Sequence, residues 1–290
     1  MFSNSIPALI TPFQDDHIDY ASLEKLIEWH IEASSSALLI CGTTGEAPTL
    51  NHQEHIDVLA AAVRTASGRI PIIAGVGSNS TAEAIQLSQA AEELGVNALL
   101  HATGYYNKPT AQQVVGHFEM IAAKTKLPIL VYNIPSRTGI EFQLDTMVQL
   151  AQIDQVIGVK DSTGNITKVS LERAQIKKPF CYLSGDDGTA LGYIAQGGHG
   201  AFSVTANIAP KLCADMMRHA LAHDFKTALE IHDRLIPLFH AIFLEPSPSG
   251  IKYAMSRVGL CQDGVRRPLT SCSAETRFKI DQALEFANLT

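Results

Sequence analysis

Pro71-Ile72-Ile73-Ala74-Gly75, then Ser80-Thr81-Ala82-Glu83 at the head of an amphipathic stretch to Leu94, then Ala98-Leu99-Leu100-His101 make one unit of strand, helix and strand. The apolar runs do not alternate with polar residues, so they read as parallel strands covered on both faces. The Ser-to-Glu spacing reads as a helix-starting capping box. The pattern repeats in both directions. Further apolar runs lie at 6–10, 37–41, 129–132, 156–160, 180–184 and 200–203, and helical stretches at 20–33, 52–66 and 111–125. Asn51-His52-Gln53-Glu54 and Thr110-Ala111-Gln112-Gln113 mark two of the starts. Eight repeats over about 220 residues predict an α/β chain closed into a (β/α)8 TIM barrel; a doubly wound open sheet is the rival. After Asp224 the repeat stops. Helical segments at 225–243, 250–259 and 274–287, joined by Pro- and Ser-rich linkers, predict a barrel domain at 1–224 and a helical appendage at 225–290.

Composition narrows the function. The 290 residues are 46% hydrophobic and 18% charged, ample for a packed core. The net charge of −7 argues against a nucleic-acid partner, and no apolar run is long enough to span a bilayer. Met1-Phe2-Ser3-Asn4-Ser5-Ile6 shows no basic or apolar export region, and the five cysteines have no paired spacing. A cytoplasmic protein with reduced thiols is the expectation.

In such a barrel the reactive groups stand at the C-terminal ends of the strands. Those ends carry Gly42-Thr43-Thr44-Gly45-Glu46, Thr103-Gly104-Tyr105-Tyr106-Asn107, Tyr132-Asn133-Ile134-Pro135-Ser136-Arg137-Thr138-Gly139 and Gly158-Val159-Lys160-Asp161. Lys160 follows an apolar strand. Burial there disfavours the ammonium, lowers its pKa from about 10.4 and leaves a neutral amine able to form Schiff bases with ketones. The plainer alternative is a lysine snorkelling to solvent. Adjacent N–H groups and hydroxyls at Thr43 and Thr44 suit capture of a small carboxylate, though an ordinary turn would look the same. Tyr106 and Tyr132 are either proton relays or core aromatics. Arg137 is either a bidentate carboxylate clamp or a surface arginine. Gly75-Val76-Gly77-Ser78-Asn79-Ser80 lacks the third glycine of a dinucleotide fingerprint. The pairs His52/His55 and His219/His223 have helical spacing but no third metal ligand, and Gly197-Gly198-His199-Gly200 is only a weak phosphate signal.

Taken together, these motifs resemble the dihydrodipicolinate synthase family of Schiff-base lyases, from Ile6 to the last helix. Pro-Ser-Arg-Thr-Gly is the most specific segment; Ser184-Gly185-Asp186-Asp187 adds to it. The resemblance implies that Lys160 forms the imine with pyruvate. It implies a proton relay of Thr43, Tyr132 and Tyr106, the last reaching into a neighbouring subunit, and a pyruvate carboxylate held by Thr44 with help from Gly185 and Phe202. Arg137 would bind aspartate 4-semialdehyde in the committed step of diaminopimelate and lysine biosynthesis. It also implies no metal or cofactor beyond the covalent imine, and a homotetramer. In lysine-sensitive members an effector site lies at the dimer interface; the matching positions are Ala47, Pro48, His52, His55, Asn79, Glu83 and Tyr105. Glu83 is expected to be occupied as the third residue of its capping box. The sequence departs from the family at Ala47-Pro48, Gly104 and Gly250. Competing readings are a pyruvate-lyase for N-acetylneuraminate or a 2-keto-3-deoxy sugar acid, and a non-catalytic keto-acid-binding barrel.

Overall fold

The computed structural model describes residues 1–290. Eight strands form one parallel sheet: β1 (Asn4–Pro7), β2 (Leu38–Ile40), β3 (Ile72–Gly75), β4 (Ala98–His101), β5 (Ile129–Asn133), β6 (Val156–Asp161), β7 (Cys181–Ser184) and β8 (Gly200–Ser203). They pair in chain order, with β8 returning to β1, and a bridge between Ala8 and Leu39 closes the ring. This is the expected barrel, and the open-sheet alternative falls. The first strand lies earlier than the 6–10 expected, because Asn4 to Pro7 find their partners at Gly200 to Ser203. Ala8 and Leu9 still bond to Ser203 O and Leu39 O, and only Ile10 leaves the sheet, its N–H donating to Asn207 Oδ1.

Between the strands run α1 (Tyr20–Glu32), α2 (His52–Ala66), α3 (Thr81–Leu94), α4 (Ala111–Ala122), α5 (Leu144–Leu150), α6 (Thr167–Gln175), α7 (Ala190–Ala195) and α8 (Pro210–Leu221). α2 and α4 begin with complete capping boxes at Asn51/Glu54 and Thr110/Gln113. α4 stops short of 125 because the Thr125 hydroxyl donates to Glu92 and accepts from Leu127 N–H. A hairpin of Phe13–Gln14 with His17–Ile18 and a single turn at Pro135–Thr138 were too short to leave a periodic signal. The C-terminal helices are α9 (Phe225–Ala241), α10 (Ser249–Arg257) and α11 (Ala274–Phe286).

Strand parity divides the apolar side chains into two cores. Ile6, Leu39, Ile73, Leu100, Leu130, Leu183 and Phe202 fill the barrel. The outer core lies between strands and helices, and side chains of α9, α10 and α11 (Leu238, Ile251, Leu284) belong to it. Each such buried side chain contributes about 1.5–3 kcal/mol relative to exposure.

Several buried polar atoms lack a partner, His30 Nε2, His101 Nδ1 and His117 Nε2 among them, and Glu172 is the one carboxylate with neither oxygen bonded. Glu172 of α6 is 2% exposed, and neither carboxylate oxygen has a hydrogen-bond partner. Burial, with Asp161 nearby, pushes its pKa up to about 8, and Lys168 opposes only in part. The folded chain therefore keeps a proton that the unfolded chain releases above about pH 4.3. Stability from this group is full below that value and is lost as pH rises toward 8, by at most about 1.4 kcal/mol per pH unit. Urea unfolding of wild type and Glu172→Gln at pH 5 and pH 8 is expected to show the glutamine variant gaining relative stability at the higher pH. A pH-independent difference would contradict this assignment.

Candidate active site

Lys160 sits near the C-terminal end of β6, opposite Tyr132 of β5. A register irregularity between Ile129 and Leu130 sets that pairing, bringing Gly158 opposite Leu130. A side chain at 158 would meet Cys181 O at 2.5 Å and Leu130 Cδ2 at 2.9 Å, so the barrel closes around glycine there. Lys160 is 4% exposed and its Nζ lies 4.0 Å from the Tyr132 ring centre and 5.0 Å from that of Phe202. The amine thus ends among aromatic walls inside the barrel mouth. It does not snorkel.

Gly185, after β7, lies against the lysine stem. A Cβ there would stand 3.0 Å from Lys160 Cε and 2.0 Å from Ser162 Oγ. Ser162 escaped the sequence reading: its hydroxyl is buried without a partner, and the only signal was its place two residues after the lysine. Asp161, beside Lys160, accepts from Asn133 Nδ2 at 3.1 Å and Thr163 N–H at 2.9 Å, which pins the strand end. Asp187 accepts from the N–H groups of Val204 and Thr205, tying the β7 and β8 loops together under Phe202; burial pushes its pKa up.

A cavity of about 530 Å³ opens next to these groups, a volume suited to small ligands. Thr43, Tyr132 and Arg137 line it. Lys160 packs against the ring of Tyr132 and is itself not on the cavity wall. Thr44 is buried and also off the wall, while Arg137 is exposed on the single turn that follows β5. Tyr106 is 94% exposed, with a left-handed φ of 68°, so it completes nothing within its own chain.

The same cavity extends to Ala47, Pro48, His52, His55, Glu83 and Tyr105. Asn79 adjoins them, its Nδ2 donating to Tyr105 O at 3.2 Å. The structure corrects the expected capping box at α3. Ser80 does accept from Glu83 N–H, but Ser80 N–H donates to Ser78 Oγ, so the Glu83 carboxylate is not needed there. It accepts from Ser78 Oγ and lies 3.8 Å from His52 Nδ1. His55 is held neutral by burial, its pKa down at about 4, and its Nε2–H donates to Gly75 O. The remaining histidine motifs go elsewhere: His219 pairs with Asp224, and His199 lies just before β8, at the opposite end of the barrel, accepting from Tyr182 N–H.

Sequence reasoning quoted Glu46 within its motif but gave it no role, and it missed Lys252 and Arg266. Lys252 on α10 is 0% exposed, and its Nζ meets Glu46 Oε1 at 2.5 Å. Burial pushes the Lys252 pKa down, against the pull of Glu46. A lysine inside Ile251-Lys252-Tyr253-Ala254-Met255 was the available sign.

Comparison with known proteins identifies the family. The model of the "Dihydrodipicolinate synthetase family" matches residues 1–287. The 4-hydroxy-tetrahydrodipicolinate synthase of Cereibacter sphaeroides is 50% identical over 289 residues, covering 100% of both chains. The crystal structure of dihydrodipicolinate synthase from Acinetobacter baumannii, complexed with pyruvate, is 40% identical with a TM-score of 0.98, covering 100% of both chains. The enzyme from Cyanidioschyzon merolae with lysine bound is 33% identical with a TM-score of 0.96, covering 100% of this chain and 99% of that one.

Because a Cβ at 185 collides with Ser162 and crowds the lysine stem, Gly185→Ala is expected to displace Lys160. A misplacement of about 1 Å costs about 100-fold in rate. Steady-state assays of the folded variant test this, and an unchanged kcat would remove Gly185 from the site.

Proposed function

The chain belongs to the dihydrodipicolinate synthetase family, and we propose that Lys160 is the nucleophile with which it carries out that family's reaction. It is a lyase that condenses pyruvate with L-aspartate 4-semialdehyde through a lysine Schiff base, giving 4-hydroxy-tetrahydrodipicolinate in the lysine pathway. The observation that carries the residue assignment is the Lys160 amine enclosed by Tyr132 and Phe202 at the mouth of the barrel.

The neutral amine attacks the ketone carbon of pyruvate, and the carbinolamine loses water to give the imine. Loss of a methyl proton yields an enamine, whose carbon adds to the aldehyde. The amine of the adduct then attacks the imine carbon, closes the ring and expels Lys160. Each step moves a proton, which Tyr132 and Thr43 on the cavity wall are placed to relay. Tyr106, exposed in its own chain, fits the third relay position if it enters the site of a second copy, as expected in a tetramer. Thr44, Gly185 and Phe202 surround the pyruvate moiety, and Arg137 takes the carboxylate of the semialdehyde. The imine supplies the electrophilic activation, so the proposal assigns no cofactor. Arg137 on the cavity wall favours this acceptor over a polyhydroxylated sugar acid. The proposal includes a catalytic barrel at 1–224, a helical appendage at 225–290 and a cytoplasmic location; no helix is long and apolar enough to cross a membrane.

Borohydride reduction in the presence of pyruvate, followed by peptide mass spectrometry, is expected to place the adduct on Lys160. Lys160→Arg should show neither adduct nor turnover, and Tyr132→Phe should lose about 10²–10⁴-fold in kcat. An active Lys160→Arg enzyme, or an adduct on another lysine, would overturn the assignment.

The outer part of the cavity supports a second element of the proposal, feedback inhibition by L-lysine. The Glu83 carboxylate, free of capping duty, can pair with an effector's amine next to His52 and Tyr105. Millimolar L-lysine is expected to inhibit wild type, and Glu83→Gln should need about tenfold more or higher still, as for loss of a charge-assisted contact. Full activity of wild type in saturating lysine would remove this element.

A further inference from the structure

We infer that the buried Lys252–Glu46 ion pair is a positioning device through which the C-terminal helices set the loop that carries Thr43 and Thr44. The inference rests on the Schiff-base reading above. Glu46 is the last residue of Gly42-Thr43-Thr44-Gly45-Glu46, and 206 residues separate it from Lys252 in sequence. Its two carboxylate oxygens divide between Lys252 Nζ at 2.5 Å and Arg266 N–H at 2.9 Å. Lys252 Nζ also donates to Gly264 O at 2.9 Å and lies 4.1 Å from the Phe13 ring centre. The Arg266 guanidinium grips the far side of the loop, reaching Thr49 O and the Glu54 carboxylate at the start of α2.

The loop needs such a grip. Cys41 before it and Glu46 at its end both hold left-handed φ values, 54° and 56°, which non-glycine residues adopt at a cost. Its internal ties are few: Glu46 N–H to Thr43 O at 3.1 Å, Ala47 N–H to Gly42 O at 3.3 Å, and Thr11 Oγ1 to Gly45 O at 2.7 Å. Stability is a weak reason for the pair, since replacing a buried ion pair by apolar groups is commonly neutral or better. Geometry is a stronger one. The carboxylate fixes the exit of the loop, and so where the Thr43 hydroxyl stands on the cavity wall.

Two variants test it. Glu46→Asp keeps the charge but is one methylene too short to reach both donors; the double variant Glu46→Gln/Lys252→Met removes both charges together. Both are expected to slow borohydride-trappable imine formation at Lys160 by about 100-fold, the scale of a 1 Å misplacement, and to lower kcat with it. The ratio kcat/KM for aspartate semialdehyde, which reacts only after the imine has formed and is gripped by Arg137 on a different loop, should stay within about twofold. The melting temperature of the double variant should stay near wild type. Should the double variant fail to fold, Glu46→Asp decides alone. Folded variants that trap pyruvate at the wild-type rate, or losses that merely track the unfolded fraction, would overturn the inference. Absence of trapping in wild type would instead overturn the Schiff-base reading itself.

Discussion

The chemistry depends on a constraint of strand parity. Side chains of a barrel strand alternate between the inside and the helix layer, so a shift of one residue on β6 would bury Lys160 against helices instead of in the mouth. The irregularity at Ile129/Leu130 fixes that choice by pairing Gly158 with Leu130 and Lys160 with Tyr132. From that one register follow the aromatic walls around the amine, the close approach of Gly185 and the place of Tyr132 on the cavity.

Much of this was legible in the chain. Apolar runs without alternation gave the parallel strands, and the two complete capping boxes marked helix starts to the residue. That Lys160, Tyr132, Thr43 and Arg137 stand at or just after strand ends was readable from the strand pattern; their roles belong to the proposal. What could not be read arises from contacts distant in sequence. The capping box at Ser80 looked complete, yet Ser78, two residues upstream, takes the donor that Glu83 would have served. Lys252 looked like one more helix lysine until the fold placed it against Glu46. Tyr106 shows the same limit one level up: within its own chain it is an exposed phenol, and the role proposed for it needs a second copy.

Two carboxylates show how differently the fold treats the same group. Glu54 is offered the Arg266 guanidinium and its pKa is held down at about 2; Glu172 has no hydrogen bond, only the partial help of Lys168, and is pushed up to about 8. The first lies where the C-terminal segment meets the loop that leads into the site. The second lies buried on α6 and makes no hydrogen bond to any residue of the cavity wall. A perturbed carboxylate therefore marks function here only when its partners lead back to the cavity.

Closure of the ring has a mechanical side. Seven of the seams are ladders of two to five residue pairs, but β1 and β2 share one bridge pair, Ala8–Leu39, flanked by the bonds from Leu9 N–H to Leu39 O and from Ser36 N–H to Ser5 O. The cylinder is therefore zipped least firmly there, and local opening costs least where the ladder is shortest. That shortest seam lies just before Cys41 and the threonine loop, so the fewest ladder pairs of the ring hold the strand end from which the loop departs.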